Sequence, residues 1–271
     1  MKKRYLYGIG FLLILALAIL IYLLLTSGRA LDGPESIVWD ATGKRFLVSN
    51  TMGRSIVSMS PEGRYSTFIK KGLNAPRGMA IWKQKLYVAD ETTLKVFDPQ
   101  TAKLLNKIPV PQAKMLNDIA LDKTGLIYIT DTSADCVFLI NPENGQTEAI
   151  RNRLLKAPNG IVYDMPRDQM FIVGFSKRSP ILSLSTKDRS VGVFMDSIYS
   201  DLDGIAIDDL GRIYITTWSE DMIFMIPQEQ NRFIAQFKEI RDAADIFYYL
   251  PDNSLIVPLF NQDKVIRIPL E

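Results

Sequence analysis

From residue 34 onwards, the chain is a series of short runs rich in β-branched and aromatic residues, separated by turn signals. The run that begins near residue 213 is typical: it predicts strands over Ile213–Thr217, Met222–Ile226 and Phe233–Phe237, with polar and glycine-containing turns around them. No amphipathic helix of useful length follows residue 30. This pattern predicts an all-β domain.

The same unit is written six times along the chain. Two copies, Leu116–Thr130 and Leu202–Thr216, have nearly the same sequence around an Asp-x-x-Gly turn. The corresponding polar positions in all six copies are residues 35, 77, 117, 159, 203 and 245, spaced 42, 40, 42, 44 and 42 residues apart. A period of about 40–45 residues with about four short strands in each unit is typical of propeller blades, so we predict a six-bladed β-propeller.

The last unit is shorter than the others. It ends after its third strand, predicted over Lys264–Ile268, and only Thr26–Gly33 is available before the first blade to supply a closing strand. The ring is therefore closed either by a very short strand or by a sixth blade of three strands.

The first thirty residues have a different character. Lys2, Lys3 and Arg4 precede an almost unbroken apolar run over residues 6–25, which is long enough for a transmembrane helix of about 20 residues. A cleavage site would fall best at Gly28-Arg29-Ala30, where an arginine separates the small residues. We therefore predict an uncleaved signal anchor over 1–30 and a propeller over 31–271.

The charges around the apolar run predict the orientation of the chain. Three positive residues precede the run and one, Arg29, follows it, which predicts a cytoplasmic N-terminus. The propeller is then expected on the extracytoplasmic side, in a periplasm, at the cell exterior or in a lumen. It would be secreted if the segment were cleaved.

The composition excludes several kinds of chemistry. The 271 residues include no histidine and one cysteine, so neither a Ser-His-Asp triad nor a histidine- or thiolate-ligated zinc site is available. The formal charge of +2, with no basic run beyond the first four residues, argues against binding to nucleic acid. Catalysis would have to use carboxylates, amides, hydroxyls, Lys, Arg or a bound metal ion.

The repeat brings one polar residue from each blade to the central channel. This ring of residues is Glu35, Arg77, Asn117, Asn159, Asp203 and Asp245. It sums to −2, and carboxylates brought together oppose folding unless a cation lies among them. Hard oxygen ligands favour a divalent ion, Ca²⁺ above Mg²⁺ or Mn²⁺. The alternative is a simple salt bridge between Arg77 and Asp203 that fills the channel.

At these positions the chain resembles the senescence marker protein/gluconolactonase/regucalcin-like family of six-bladed propellers, relatives of the paraoxonases and the strictosidine synthase-like proteins. The resemblance rests on four segments: Glu35–Trp39, Leu116–Asp118, Ala157–Ile161 and Leu202–Asp208. It implies that Glu35, Asn159 and Asp203 bind a metal, that Asn117 faces metal or substrate, and that Asp203 is the base, with Asp245 as a second candidate.

The family resemblance implies a metal-dependent hydrolase of lactones or other esters. Two positions depart from the pattern: Met115 stands where some members have an arginine, and Arg77 is an unusual ring residue that is expected either to bind substrate or to exclude the metal. Phe175 and Trp218 in the predicted channel mouth favour an apolar substrate, or else pack blade edges. Arg77, Asn117, Phe175 and Trp218 are the candidate substrate-binding residues.

Two other classes of function stay open. A membrane-tethered propeller can bind a protein or small ligand without any chemistry, and the sequence names no protein partner. Related propellers also host synthase or lyase reactions, although the missing histidines disfavour that reading.

Overall fold

The computed structural model describes residues 30–229 and 231–270. Apart from Ala30, the predicted signal anchor lies outside these residues, so its helix stays a prediction. Within the described part, no helix is long and apolar enough to cross a membrane.

The described residues form six antiparallel sheets in chain order, as the repeat predicts. The first sheet contains β1 (Pro34–Asp40), β2 (Arg45–Asn50), β3 (Ser55–Met59) and β4 (Tyr65–Ile69). The second contains β5 (Pro76–Trp82), β6 (Lys85–Asp90), β7 (Thr93–Phe97) and β8 (Leu104–Pro109). The third contains β9 (Leu116–Leu121), β10 (Ile127–Asp131), β11 (Cys136–Ile140) and β12 (Thr147–Arg151).

The second half of the chain repeats this arrangement. The fourth sheet contains β13 (Pro158–Asp164), β14 (Gln169–Gly174), β15 (Ile181–Ser185) and β16 (Val191–Met195). The fifth contains β17 (Leu202–Ile207), β18 (Ile213–Thr217), β19 (Met222–Ile226) and β20 (Ile234–Lys238). The sixth contains β21 (Phe247–Tyr249), β22 (Ser254–Leu259) and β23 (Lys264–Pro269), with 3-10 turns at Leu250–Asp252 and Phe260–Gln262.

The hydrophobic core lies between the sheets. An aromatic residue recurs at one position of the second strand in four successive blades, and each of these side chains packs against the following blade. These residues are Tyr87, Tyr128, Phe171 and Tyr214, and each is almost fully buried. The sequence repeat therefore reflects packing between blades, because each blade buries its faces only against its neighbours.

The innermost strand of each of the first five blades has an irregular pairing register at the ring position. In β1, for example, the register shifts between Pro34 and Ile37. The backbone N–H freed by this irregularity donates to a hydroxyl on the second strand: Ser36 to Ser49, and Asp118 to Thr130, at 2.8 and 2.9 Å. A bulge changes the direction of the side chains on its strand, so the ring residue leaves the regular alternation of core-facing side chains.

Glycines after three of the ring residues allow neighbouring blades to approach closely. A Cβ built on Gly204 would lie 2.6 Å from the Cα of Asp245, and one on Gly160 would lie 2.4 Å from the carbonyl oxygen of Asp203. Backbone atoms cannot yield as a flexible side chain can. The channel is therefore narrow at the level of the ring.

The ring closes through three residues and a three-stranded sixth blade, which confirms one of the two predicted closures. The Gly33 N–H donates to Asp263 in the sixth blade at 3.0 Å, and the Thr51 N–H donates to Gly33 at 2.9 Å. Leu31 is buried in the core that the first and sixth blades share. We call Leu31–Gly33 the latch.

The close approach of blades predicts a large cost for one methyl group. Gly204→Ala should lower the free energy of unfolding by about 3 kcal/mol, because its Cβ overpacks backbone atoms of the sixth blade. The matched control is Gly192→Ala, whose Cβ would meet nothing closer than 3.8 Å. Denaturant unfolding followed by tryptophan fluorescence measures both. Equal stability of the two variants would contradict this packing.

Candidate functional site

The predicted ring residues Glu35, Asn117, Asn159 and Asp203 are buried, and Arg77 is half-buried. The charges of Glu35, Arg77, Asp203 and Asp245 act on one another although the residues come from the first, second, fifth and sixth blades. The structure therefore brings the charged part of the predicted ring together at the axis.

Burial dominates the electrostatics of Glu35 and Asp203. Removal from water raises the pKa of each carboxyl well above its usual range. Like-charge repulsion adds to this, because the Asp203 charge raises the pKa of Glu35 and the Asp245 charge raises that of Asp203. The Arg77 guanidinium lowers the pKa of both. One guanidinium does not offset the repulsion.

Asp118 is a fourth buried carboxylate at the axis, which the sequence reasoning did not include. Its oxygens accept hydrogen bonds from the backbone N–H groups of Ile119 at 2.7 Å and of Ile161, in the next blade, at 2.8 Å. Burial and then the Asp245 charge raise the pKa of Asp118 well above its usual range. The signal was available: the residue after the ring position is Ser36, Gly78, Gly160 and Gly204 in other blades, and an aspartate there is exceptional.

Asp245 is held by its neighbours. Ser36 Oγ donates to one carboxylate oxygen at 2.7 Å, and the Ile246 N–H donates to the other at 2.7 Å. Burial raises the pKa of Asp245 to about 6, against these two hydrogen bonds, which lower it. Asp118 and Asp245 also line a cavity of about 350 Å³ in the channel, whose other walls are apolar residues of the innermost strands.

The two ring amides have different environments. Asn117 Nδ2 donates to Thr132 Oγ1 at 3.1 Å, and Thr132 Oγ1 donates to the Pro158 carbonyl at 2.9 Å. This arrangement leaves Asn117 Oδ1 as an acceptor. The backbone carbonyl of Asn159 accepts a hydrogen bond from Thr130 at 2.5 Å, and within the described residues its side-chain amide has no hydrogen-bond partner.

Arg77 does not fill the channel with a salt bridge. Its Nη1 donates to the Ala75 carbonyl at 3.4 Å, and among residues 30–229 and 231–270 it forms no ion pair. The alternative prediction, an Arg77–Asp203 salt bridge that fills the channel, is therefore wrong within the described residues.

An aromatic row leads away from Asp203. The Trp218 indole N–H lowers the pKa of the Asp203 carboxyl, although Nε1 is buried and makes no well-aligned hydrogen bond to a described residue. The Trp218 ring lies 5.8 Å from that of Phe175 and 6.1 Å from that of Phe260, centroid to centroid. Phe175 and Trp218, which the sequence singled out, thus pack against each other at the channel mouth.

The donor chemistry at the axis fits a hard divalent cation. The Glu35 carboxylate is buried and accepts no hydrogen bond from a described residue. The buried Asp203 carboxylate is influenced, like Glu35, by the charges of Arg77 and Asp245. The side-chain amides of Asn117 and Asn159 offer further oxygen donors. Within the described residues no three Asp, Glu or Cys side chains lie together as a metal-binding group. A site here would therefore need the amide oxygens beside two carboxylates, a mixed set that Ca²⁺ accepts.

Comparison with known protein families decides the relationship. Residues 33–238 match the family described as the SMP-30/Gluconolactonase/LRE-like region. The chain belongs to this family. A search of curated proteins gives no match.

Solved structures share the fold at low identity. A gluconolactonase from Xanthomonas campestris has a TM-score of 0.73 and 14% identity, with 90% of this chain and 88% of that chain covered. Virginiamycin B lyase from Staphylococcus aureus, solved as a catalytically inactive histidine-to-alanine variant with quinupristin, has a TM-score of 0.69 and 13% identity, covering 88% and 80%. A chain of the nidogen–laminin complex has a TM-score of 0.66 and 15% identity, covering 83% and 93%.

The raised pKa of Asp245 predicts that stability depends on pH when divalent ions are removed. The folded state holds the proton up to about pH 6, whereas an unfolded aspartate releases it near 3.8. The contribution to stability is present below about pH 4 and is lost as the pH rises through 6, by at most about 3 kcal/mol for this group. Unfolding in chelator between pH 4 and 7 measures it.

Asp245→Asn should make that profile less steep, because an amide has no proton to release, while Glu35, Asp118 and Asp203 keep their own contributions. Asp196→Asn, which changes an exposed aspartate, is the matched control and should leave the profile as it is. A profile that keeps its slope in Asp245→Asn would contradict the assignment.

Proposed function

We propose that this propeller is a metal-dependent hydrolase of lactones or other esters, with its site at the channel axis. Family membership favours a lactonase-type reaction. The observation that carries the proposal is Asp203: a buried carboxylate that shares the axis with Glu35 and is bordered by the Trp218 indole and an aromatic wall. Such a group combines a raised pKa with a concave, partly apolar surrounding.

Four oxygen-bearing residues would hold the metal: Glu35, Asn159 and Asp203, with Asn117 Oδ1 toward the ion or the substrate. The charges support a divalent ion, because Glu35, Asp118, Asp203 and Asp245 against Arg77 sum to −3 when all are ionised. Calcium suits a set of irregularly spaced oxygens from separate strands. When bound, such an ion acts as a Lewis acid toward the substrate carbonyl.

Asp203 would act as the general base. Its carboxylate takes a proton from water while the water oxygen bonds to the carbonyl carbon, and the ester C–O bond then breaks. The proton passes from Asp203 to the departing alkoxide, which leaves as an alcohol, and the acyl group leaves as a carboxylic acid. Asp203 must be ionised to begin, so the lowering of its pKa by Arg77 and the Trp218 N–H favours this role.

Asp245 is less suited to be the base. Both of its oxygens already accept hydrogen bonds, from Ser36 and Ile246, and it lines the apolar cavity with Asp118. We assign it a supporting role, in which its charge adds to burial in raising the pKa of Asp203.

Substrate contacts are proposed for Arg77, Asn117, Phe175 and Trp218. Arg77 forms no ion pair within the described residues, so its guanidinium is available to a carbonyl or carboxylate oxygen of the substrate. Phe175 and Trp218 offer an edge-to-face apolar wall, which favours substrates with an aromatic or aliphatic portion.

The decisive experiment is metal-dependent turnover. The purified chain is treated with chelator, then supplied with Ca²⁺, Mg²⁺ or Mn²⁺, and hydrolysis is measured over aromatic esters and lactones. We expect Ca²⁺ to restore activity, Asp203→Asn to lower kcat by about 10²–10⁴-fold, the usual worth of a general base, and Asp245→Asn to lower it much less. Activity that is indifferent to chelator, or equal losses in both variants, would contradict the proposal.

A second variant tests the environment of Asp203. Trp218→Phe keeps an aromatic ring and removes the N–H that lowers the pKa of Asp203, so the acidic limb of the kcat/KM profile should move to higher pH. Phe175→Leu, which changes the same wall without touching that N–H, is the control and should raise KM without moving the limb. A limb that stays in place in Trp218→Phe would remove Asp203 from the role of base.

The alternative functions have distinguishable signatures. A binding propeller without chemistry, suggested by the fold shared with the nidogen–laminin chain, would show no turnover with any metal. A lyase is disfavoured, because the lyase of the same fold is inactive when a histidine is replaced by alanine and this chain contains no histidine.

We also propose that residues 1–30 tether the propeller to a membrane on its extracytoplasmic side, from the apolar run over residues 6–25 and the positive residues before it. Protease given access to the extracytoplasmic side of the sealed membrane should cleave the propeller and leave cytoplasmic proteins untouched, and a propeller that is cleaved only after the membrane is dissolved would contradict the tether.

A further inference from the structure

A second cavity, of about 240 Å³, lies between two connections of the fourth blade. One wall is the connection over residues 152–157, which leads into β13, and the other is the connection over 175–180, which joins β14 to β15. The two connections lie at the same end of the blade, because Pro158 pairs with Gly174. We call this space the side cavity.

Backbone contacts hold the two walls of the side cavity together. The Phe175 N–H donates to the Ala157 carbonyl at 2.8 Å, and the Gly174 N–H donates to Ser179 Oγ at 3.1 Å. A Cβ built on Gly174 would lie 2.5 Å from the carbonyl oxygen of Lys156, so the walls meet at the backbone. The side cavity is therefore fixed by the packing of the blade and does not depend on a ligand.

Four cationic side chains line the side cavity, two from each wall, and no acidic side chain is in its lining. Among residues 30–229 and 231–270, none of the four forms an ion pair or a hydrogen bond through its side chain. Charges of one sign around a concave surface focus the field and attract a counter-ion. The four residues are Arg153, Lys156, Lys177 and Arg178.

The lack of partners distinguishes these cations from those at other cavities of the blades. Arg189 and Arg267, which line two other cavities, form ion pairs with Glu148 and Asp252, each at 2.6 Å. One unpaired cation on a surface is ordinary, because water solvates it. Four unpaired cations around one cavity repel one another, and an anion among them would relieve that repulsion.

Two carboxylates lie near the side cavity without lining it. Asp135 accepts the Ala157 N–H at 2.7 Å, and the Asp201 N–H donates to the Ser176 carbonyl at 3.0 Å. Within the described part of the chain, neither pairs with any of the four cations. With both carboxylates counted against the four cations, an excess of two positive charges is left.

The side cavity adjoins the candidate site. Pro158, in its lining, directly precedes the candidate ligand Asn159. Phe175 belongs to the second wall, and its ring lies 5.8 Å from that of Trp218, which borders Asp203. A molecule that places its ester carbonyl at Asp203 can therefore extend along the aromatic wall and place its far end in the side cavity.

We propose that the side cavity binds an oxyanion group of the substrate, a carboxylate or a phosphate, so that the preferred esters or lactones are anionic. The guanidinium groups offer paired N–H donors to two oxygens, and the ammonium groups offer point charges. The Ser176 hydroxyl, which has no hydrogen-bond partner among the described residues, adds a neutral donor. The anion site rests on the side cavity itself, and the substrate class rests in addition on the proposed function.

The anion site is tested without any turnover. The full-length chain is freed of divalent ions with chelator and dialysed, so that no metal can hold the anion, and inorganic phosphate is titrated while its ³¹P line width is followed. Lys156→Gln/Lys177→Gln removes one charge from each wall. The matched control, Lys107→Gln/Lys187→Gln, removes two exposed lysines that line no part of the side cavity and form no ion pair with a described residue.

We expect Lys156→Gln/Lys177→Gln to raise the Kd for phosphate by about 3- to 30-fold, because two charge contacts at a solvated site are lost. The control should leave the Kd unchanged, and Lys156→Arg/Lys177→Arg, which keeps both charges, should bind as the unaltered chain does. No line broadening with the unaltered chain overturns the anion site. An equal rise in Kd in the two glutamine pairs overturns it too.

The substrate class is tested with three 4-nitrophenyl esters of equal chain length, whose far ends are a methyl group, a carboxylate and a phosphate. With divalent ions restored, Lys156→Gln/Lys177→Gln should raise KM for at least one anionic ester by about 3- to 30-fold with kcat unchanged, and should leave the neutral ester as it was. The anionic ester with the larger rise identifies the group that the side cavity takes.

Two results overturn the substrate class: equal effects on the charged and the neutral esters, or the same kcat/KM for all three esters with the unaltered chain. No hydrolysis of any ester by the unaltered chain overturns the proposed function and the substrate class together. The phosphate titration then decides the anion site alone, because it needs neither metal nor turnover.

Discussion

The structure depends on one electrostatic constraint: its symmetry forces like charges together. Repeating a β unit six times around an axis brings one position of every blade to that axis, whatever residue stands there. In this chain Glu35, Asp203 and Asp245 occupy three of the six positions, and burial together with mutual repulsion raises the pKa of all three. The fold therefore stores a cost at its centre that protons, Arg77 or a cation must offset.

The packing around the axis limits how that cost is relieved. Gly160 and Gly204 let adjacent innermost strands approach to backbone contact, so the packing of the blades favours a narrow ring in which the carboxylates lie near one another. The hydroxyls of Thr130 and Thr216 each donate a hydrogen bond to a backbone carbonyl of the next blade, that of Asn159 at 2.5 Å and that of Ala244 at 2.6 Å. Rigid walls around repelling groups are the condition for binding a cation selectively, because the donors are held in place before the ion arrives.

The fold could be predicted from the sequence because the repeat occurs six times. An error at one strand boundary, such as Phe233–Phe237 against the observed Ile234–Lys238, leaves the period unchanged.

The candidate site could be predicted only in part. Asp118 breaks the repeat in a single blade, and its hydrogen bond to the Ile161 N–H joins residues that no local pattern connects. Likewise the pairing of Trp218 with Phe260 depends on neighbouring blades meeting at the rim, which is tertiary geometry.

The residues that close the ring are shared by the two parts of the proposed function, the site at the channel axis and the N-terminal membrane tether. A propeller with only three strands in its last blade needs another interaction to hold its ends, and here Gly33 binds Asp263 while the Asp245 N–H donates to the Glu35 carbonyl at 3.1 Å. Both contacts involve residues within two positions of the candidate ligand Glu35. Because the same few residues close the fold, lead toward the N-terminus and hold the first ligand, a pull on the chain at the latch would act directly on the geometry of the site.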